Sequence, residues 1–504
     1  MDSREYFAKF TDPVTFSKII ERDTVVEMWE NVIKEYVDDV AIVDDGVSYT
    51  FSKLDKDMSS YRGVLAEQGL VKGDRIGVYA KNSYDLVKMY LAGVTSGLCV
   101  AILPAHLDEK TLFGVSMMFG LKALCYTPDM EERLNVCKAM NPNLKLLLSS
   151  LEGKATPMNS KVTSNDPAII MFTGGTTGRS KGALLSHEAL MQGTVNGCYG
   201  IPNVFKQRYL LILPMSHVFG LIRNVMTALY TGSALYIVKN NKDMFKDIAI
   251  FKPTILVLVP AVAEMALNLS RQFGRNMLGE DLKCIICGAA KVAPYLILEY
   301  KKFGIDLYPG YGLTESANLV SGNPDQFNKP DSVGYPYPHQ EFKVVHDELW
   351  IKGKNMMVGY VGDENANKEA FEDGWFKTGD LVRFDEDGFL YITGRCKEII
   401  VLSNGENVSP AEVEVFFNAL PYVQDSQIFE DVDDKGQHFI ALEVVPRMTE
   451  LAKVKEEDKM AFLMKELYKV NETLVPYMRA QRIVIRDKDF ERTPAMKILR
   501  YHKC

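Results

Sequence analysis

The chain has 504 residues, of which 47% are apolar, 25% charged and 10% aromatic, a composition typical of folded proteins and unlike that of disordered or fibrous ones. At roughly 100–200 residues per domain it holds about two to four cooperative units, which excludes a single small binding module. With 58 basic against 66 acidic residues the formal charge is −8, and the absence of a long Lys/Arg run excludes nucleic acid as the main partner.

The first residues, Met1 to Phe7, carry Asp2 and Glu5 where an export signal would be basic and then apolar. The longest apolar stretches, such as Ile255 to Ala263, fall short of the ~20 residues that span a bilayer. Eight scattered cysteines suit a reducing compartment, so a cytoplasmic protein without an integral membrane segment is expected. From residue 70 to about 320 short apolar runs alternate with helical patterns. Arg75–Ala80, Ala168–Phe172, Thr254–Val259 and Cys284–Cys287 read as strands buried on both faces, the mark of parallel sheet in an α/β protein. Cys284 and Cys287 therefore read as strand residues, despite their C-x-x-C spacing.

Between Glu341 and Gly394 the pattern changes to alternating segments punctuated by Asp373-Gly374 and Asp387-Gly388, which predicts antiparallel hairpins. A helix is predicted after Ser409, with Ser409 as its cap, Pro410 in its first turn, Glu412 completing a capping box, and Val413, Phe416, Phe417 and Leu420 on its buried face. The expected fold is α/β. Parallel-sheet subdomains run to about residue 330 and an antiparallel, barrel-like subdomain covers about 331–394. A hinge at 395–397 leads to a small mobile α+β domain over 398–504.

The most informative stretch is Thr173-Gly-Gly-Thr-Thr-Gly-Arg-Ser-Lys181, directly after a predicted strand. Its glycines allow a tight turn with N–H groups facing inward, its hydroxyls add donors, and Lys181 adds a full positive charge, so the loop suits a polyphosphate. It is neither a Walker A loop, since Gly182 follows Lys181 where Ser or Thr is required, nor a dinucleotide fingerprint.

This loop resembles the phosphate-binding signature of the AMP-forming adenylating enzymes, the superfamily of acyl-CoA synthetases, luciferases and peptide-synthetase adenylation domains. The resemblance extends in order through Ser48–Leu54, Leu213-Pro-Met-Ser-His-Val-Phe219, Tyr311-Gly-Leu-Thr-Glu315, Glu348–Gly353, Thr378-Gly-Asp380, Gly394-Arg395 with Lys397, and Arg492-Thr-Pro-Ala-Met-Lys497. It implies an ATP-dependent ligase that converts a carboxylic acid to an acyl adenylate and then to a coenzyme A thioester, using Mg²⁺. Thr173, Gly174, Gly175, Thr176, Thr177, Gly178 and Lys181 would hold the phosphates, and Glu315 would bind the metal, with Thr176 a second candidate. Tyr311 and Gly312 would lie against adenine, along with the strip Gly288, Ala289 and Ala290. Thr314 would touch phosphate, while Asp380 and Arg395 would bind the ribose. Lys497 would bridge the acid and the α-phosphate. Lys397 matches the hinge, and Ser403, Asn404, Gly405 and Glu406 the loop that admits the thiol.

His217 is expected beside the acid. No acidic anchor for an α-amino group is present, which favours an apolar tail. Three features depart from the family pattern: Met496 and Asp347 stand where Gly is common, and the loop 401–405 is one residue longer than in aryl-CoA ligases. The last tilts the expected substrate toward a medium- or long-chain fatty acid. The alternatives are an aryl-acid CoA ligase, an acyl-AMP ligase that loads an acyl carrier protein, and a nucleotide- or acyl-binding sensor without catalysis.

Overall fold

The apolar runs form buried strands. In the computed structural model, which describes residues 2–173, 181–398, 400–401, 407–432, 438–492 and 498–500, the four predicted strands are Arg75–Tyr79, Pro167–Thr173, Ile255–Leu258 and Cys284–Cys287. Every residue of the last two is buried, as parallel strands covered on both faces require. Cys284 and Cys287 are three residues apart on a strand and so project to opposite faces. Both are unlinked, and burial pushes the Cys284 thiol up to about 12.

Two large sheets result. In a seven-stranded sheet Arg75–Tyr79 lies parallel between Cys99–Leu103 and Ala123–Tyr126, with Lys145–Leu148 beyond the latter and Pro167–Thr173 beyond the former. Pro167–Thr173 then pairs antiparallel with Lys181–Ser186, and Gly359–Tyr360 completes that edge. In a nine-stranded sheet six parallel strands run in the order Asp306–Tyr311, Cys284–Cys287, Ile255–Leu258, Arg208–Leu211, Ala234–Ile237 and Val40–Asp44, flanked by antiparallel strands at both ends. One face of this sheet packs Leu210, Leu256, Ile285, Cys287 and Leu307 into a core with helices Pro260–Phe273 and Pro294–Lys302.

The region beyond is antiparallel, as the turn residues predict. Asp373 and Gly374 both have left-handed backbones (φ 50° and 79°) between Phe371–Glu372 and Trp375–Phe384, the requirement of a tight hairpin. His346 and Asp347 do the same at φ 49° and 64°. Asp347, noted above as replacing a common Gly, thus occupies a conformation that Gly adopts without cost and Asp tolerates. After residue 407 a helix Pro410–Asn418 packs on a three-stranded sheet of Val423–Val432, His438–Pro446 and Arg482–Ile485.

Two details of that helix correct the sequence reading. Ser409 makes no side-chain cap bond, because its hydroxyl donates instead to the Thr393 carbonyl at 3.0 Å. Val413 and Phe417 are buried as expected, but Phe416 is exposed and Glu414 is buried in its place, because Arg500 supplies Glu414 with a counter-charge. Contacts divide the chain into two compact units. One comprises Met1–Glu341, Ile351–Phe376 and Gly388–Leu390, and the other Phe342–Trp350, Lys377–Asp387 and Tyr391–Cys504. Among the described residues no helix is long and apolar enough to cross a membrane.

His187, the first residue of helix His187–Asn196, is wholly buried, and its Nδ1 accepts the Val25 N–H at 3.3 Å. Burial lowers its pKa from 6.5 to about 4. The unfolded chain therefore takes up a proton below pH 6.5 that the folded chain refuses until about pH 4, so stability falls as pH drops through that window. The loss reaches about 3 kcal/mol at most. Urea unfolding followed from pH 7.5 to 4 should show this decline, and His187→Asn, which keeps an acceptor for Val25, should flatten it.

Candidate active site

The Gly-rich loop joins two strands of one hairpin, Pro167–Thr173 and Lys181–Ser186, in which Thr173 pairs with Lys181. Residues Gly174, Gly175, Thr176, Thr177 and Gly178 lie outside the described residues, but both ends of the loop are fixed. Gly182 is required by packing. A Cβ there would sit 2.4 Å from the Phe119 ring and 2.9 Å from Ile170, so the Ser or Thr of a Walker loop has no room.

Lys181 Nζ stands 4.8 Å from the centre of the Tyr360 ring, a cation–π placement. The Tyr360 hydroxyl donates to Glu315 Oε1 at 2.8 Å. Burial, reinforced by the Glu315 carboxylate, pushes that hydroxyl far above its ordinary range, so it stays a donor at any physiological pH. One phenol thus links the cation closing the loop to the expected metal-binding carboxylate. Tyr360 is carried there by Gly359–Tyr360 pairing with the Lys181 strand. Nothing in Val358-Gly-Tyr-Val361 marks it in the sequence.

Glu315 lies in a 3-10 turn, Thr314–Ser316, directly after the strand Asp306–Tyr311. Gly312 makes the turn possible, since a Cβ there would lie 1.2 Å from the Asn318 carbonyl oxygen. Ser316 Oγ accepts from Leu313 N–H and donates to Leu313 O, both at 3.1 Å. Asn355 Nδ2 donates to Ser316 O and Leu319 O at 2.9 Å each, and Met357 N–H to Glu315 O at 2.7 Å. The backbone of Glu315 is thereby held on both sides, with Tyr311 and Thr314 half-buried next to it.

Gly288 follows the buried strand Cys284–Cys287, and the backbone turns outward at Ala289 (φ 66°) toward an exposed Ala290. A Cβ on Gly288 would meet Gly310 O at 3.3 Å and the Phe219 ring at 3.5 Å, so the strip lies flat between the neighbouring strand and Phe219. His217 precedes Phe219, and its Nδ1 accepts the Phe219 N–H at 3.2 Å, which fixes the ring. Gly220 must be Gly, because a Cβ would approach Pro214 O to 2.3 Å. The segment Phe219–Met226 is a π-helix with all eight residues buried, a rare form that often marks functional sites.

In the second unit the structure brings Asp380 and Arg395 together. Asp380 is 1% exposed, and its Oδ1 lies 2.9 Å from Arg395 Nε. The strand segment presenting Asp380, bent at Gly379 (φ 71°), is pinned by Glu348, whose Oε1 accepts Gly379 N–H at 2.8 Å and whose Oε2 accepts Trp350 Nε1–H at 3.0 Å. Thr378 Oγ1 accepts Asp380 N–H and donates to Leu349 O. Glu348 thus holds this bend of the strand.

Residues 29–361 match the AMP-binding enzyme family. The chain belongs to that family, the AMP-forming adenylating enzymes. Long-chain-fatty-acid–CoA ligase FadD15 of Mycobacterium bovis is 33% identical over 321 residues, 53% of this chain and 53% of that one, so the match spans about half of that relative's length. Oxalate–CoA ligase of Arabidopsis thaliana is 27% identical over 487 residues, 89% of this chain and 93% of that one. Among solved structures, o-succinylbenzoate CoA synthetase from Bacillus subtilis with its acyl-adenylate intermediate superposes with a TM-score of 0.78 at 22% identity, covering 94% of this chain and 96% of that one. At that identity the likeness is one of fold.

The family pattern places Lys497 in the C-terminal segment. Lys497 lies outside the described residues, as do Ser403, Asn404, Gly405 and Glu406, while Lys397 falls in the short 3-10 turn Cys396–Glu398. Both flanks of the Lys497 segment are anchored. Arg492 pairs with Ile498 across an antiparallel bridge, and Leu499 N–H donates to Glu491 O at 2.7 Å. Arg500 grips Glu414 through two bonds of 2.8 and 2.7 Å and also reaches Glu398 at 3.3 Å. Burial pushes the Glu414 carboxyl up, against the pull of Arg500. Removing one partner of a buried pair strands the other, at a cost of about 3–5 kcal/mol. Arg500→Met should therefore lower urea stability by about 3 kcal/mol, and adding Glu414→Gln should restore much of it.

Proposed function

We propose that this adenylating enzyme activates a carboxylic acid with ATP, releases pyrophosphate, and transfers the acyl group from the adenylate to coenzyme A. The observation that carries the reading is the Lys181–Tyr360–Glu315 chain at the root of the Gly-rich loop. A nucleotide triphosphate needs a cation at its phosphates and a hard oxygen donor for its metal, and the chain supports both.

The donor set fits Mg²⁺ in particular. Among the described residues no group of three or more His, Cys, Asp or Glu could cage a metal. Mg²⁺ is commonly held by one or two carboxylates with substrate phosphates and water completing its shell, and Glu315, oriented by Tyr360, supplies one such carboxylate. When bound, the ion would neutralise phosphate charge and favour departure of pyrophosphate.

In the first half-reaction a carboxylate oxygen of the acid bonds to the α-phosphorus while the α–β bridging P–O bond breaks. Two anions must meet, and their repulsion at 4 Å is ~1 kcal/mol in water but ~4 at an effective dielectric of 20. Lys181 and the loop residues Thr173 to Gly178 would hold the β- and γ-phosphates, and Lys497 would lie between acid and α-phosphate. This is electrostatic stabilisation, since a carboxylate has no proton to lose. Tyr311, Gly312 and the Gly288–Ala290 strip would take adenine, Thr314 the phosphate, and the Asp380–Arg395 pair the ribose. In the second half-reaction the coenzyme A sulfur attacks the acyl carbon and AMP leaves. Lys397 would serve as the hinge between domains 1–394 and 398–504, and Ser403 to Glu406 would line the path of the thiol.

His217 and the π-helix would form the wall of the acid pocket. Phe219, Leu221 and Ile222 there suit a tail of fatty-acid type, each buried CH₂ contributing ~0.8 kcal/mol. The relatives named above act on a long-chain fatty acid and on oxalate, so the family accommodates very different tails. Carboxylate-dependent ATP–pyrophosphate exchange without thiol should be observed, and addition of coenzyme A, rather than a carrier protein, should convert the adenylate to thioester. Lys497→Ala should abolish exchange yet spare thiolysis of preformed acyl adenylate. Absence of exchange across fatty, aromatic and dicarboxylic acids would favour the sensor.

A further inference from the structure

Arg500 joins stretches that lie far apart in the sequence of the second unit. Its Nη1 and Nη2 donate to the two carboxylate oxygens of Glu414, on the helix Pro410–Asn418, at 2.8 and 2.7 Å. Nη1 also lies 3.4 Å from Ile428 O, on the strand Val423–Val432. Its Nε stands 3.3 Å from Oε2 of Glu398, the last residue of the turn Cys396–Glu398. All the nitrogens of the guanidinium therefore face acceptors.

The two carboxylates stand differently. Glu414 belongs to the core, since it is buried and its Oε1 also accepts the Ile428 N–H at 2.7 Å. Its bidentate pair with Arg500 already balances the charge of the guanidinium. Glu398 brings a second negative charge to a cation that is already neutralised. Burial raises the Glu414 carboxyl, Arg500 pulls it down, and Glu398 adds to the rise, so for the helix the extra carboxylate is a disadvantage. The Glu398 side chain is nevertheless only 18% exposed, not a surface charge free in water. What it supplies is a connection. Glu398 directly follows Lys397, the expected hinge, and Arg500 comes three residues after Lys497, the expected bridging cation. The other flank of the Lys497 stretch is fastened separately, through the bridge between Arg492 and Ile498 and the 3.0 Å bond from Arg492 to Asp489.

We infer that Glu398 is a positioning residue, which through Arg500 fastens the terminal stretch to the hinge turn so that the stretch bearing Lys497 follows the hinge without slack. This rests on the adenylating reading above, with Lys397 and Lys497 in the roles the family pattern gives them, and deepens it. A charge delivered to a reacting centre acts only if its base is fixed, and a misplacement of about 1 Å can cost ~100-fold in rate. The thioester-forming step does not use Lys497, so a loosened base should slow the first half-reaction and leave the second alone. A residue that merely stabilises the fold would weaken both.

The test measures the two half-reactions separately in the full-length enzyme, with decanoate, benzoate and oxalate as the acids and the matching acyl adenylates for thiolysis by coenzyme A. Glu398→Ala should lower kcat for ATP–pyrophosphate exchange at least about tenfold, with the KM for ATP, the rate of thiolysis and the urea midpoint close to wild type, because the Glu414–Arg500 pair remains. Glu398→Gln, which keeps an acceptor for Arg500 without the charge, should lie between the two in exchange and equal both in thiolysis. Exchange at the wild-type rate in Glu398→Ala would overturn the inference, as would a parallel fall in exchange, thiolysis and urea midpoint. Should Glu398→Ala fail to fold, the same split in Glu398→Gln decides. Lys497→Ala separates the two levels: if it abolishes exchange while Glu398→Ala does not affect it, only the inference falls. If Lys497→Ala leaves exchange intact, or the wild type exchanges with none of the acids, the underlying reading falls and the inference with it.

Discussion

A single tyrosine ties a cation to a carboxylate in this protein, and the proposed activity depends on both being offered to one ligand. Tyr360 places its ring under Lys181 and its hydroxyl on Glu315. A hydrogen bond to a charged group contributes about 1.5–3 kcal/mol, and a partly exposed cation–π contact about 0.5–1. Neither is large. Their value is geometric, because both charges are tied to one rigid ring whose strand pairs with the strand of Lys181. The glycines nearby serve the same end: Gly182 lets the hairpin pass Phe119, and Gly312 lets the Glu315 turn close on itself.

The second unit solves a related problem differently. Asp380 is buried, and its stretch of strand is held by Glu348 through the Gly379 N–H while Arg395 pairs with its carboxylate. The terminal segment is anchored by Arg500 to Glu414 and Glu398. In both, a buried carboxylate is retained because a guanidinium neutralises it, Arg395 from the neighbouring strand and Arg500 from far along the chain, the condition under which such burial is tolerated. Each arrangement fixes a backbone segment on which the family pattern places a functional residue.

Much of this was legible in the residues themselves. Runs such as Thr254–Val259 and Cys284–Cys287 are apolar at every position, which a sheet covered on both faces demands, and Asp373-Gly374 announces its hairpin by residues that tolerate positive φ. The ordered motifs led to the family before any geometry. What escaped depends on long-range partners. Phe416 and Glu414 exchange expected roles because Arg500 arrives from 86 residues away. Ser409 gives its hydroxyl to a carbonyl 16 residues earlier and so does not cap its helix. Tyr360 is 45 residues from Glu315 and looks like any strand aromatic. Arg223 lies in an apolar run whose pattern does not reveal that the helix is π-type.

The central claim is that Tyr360 orients Glu315 for a metal–nucleotide ligand, and the most direct measurement is the Mg²⁺ dependence of ATP–pyrophosphate exchange in wild type and Tyr360→Phe. Loss of one charge-assisted hydrogen bond should raise the Mg²⁺ concentration for half-maximal exchange about tenfold, with the KM for the acid unchanged. A Tyr360→Phe enzyme that is less stable to urea but shows the wild-type Mg²⁺ dependence would contradict the account and leave Tyr360 a packing residue.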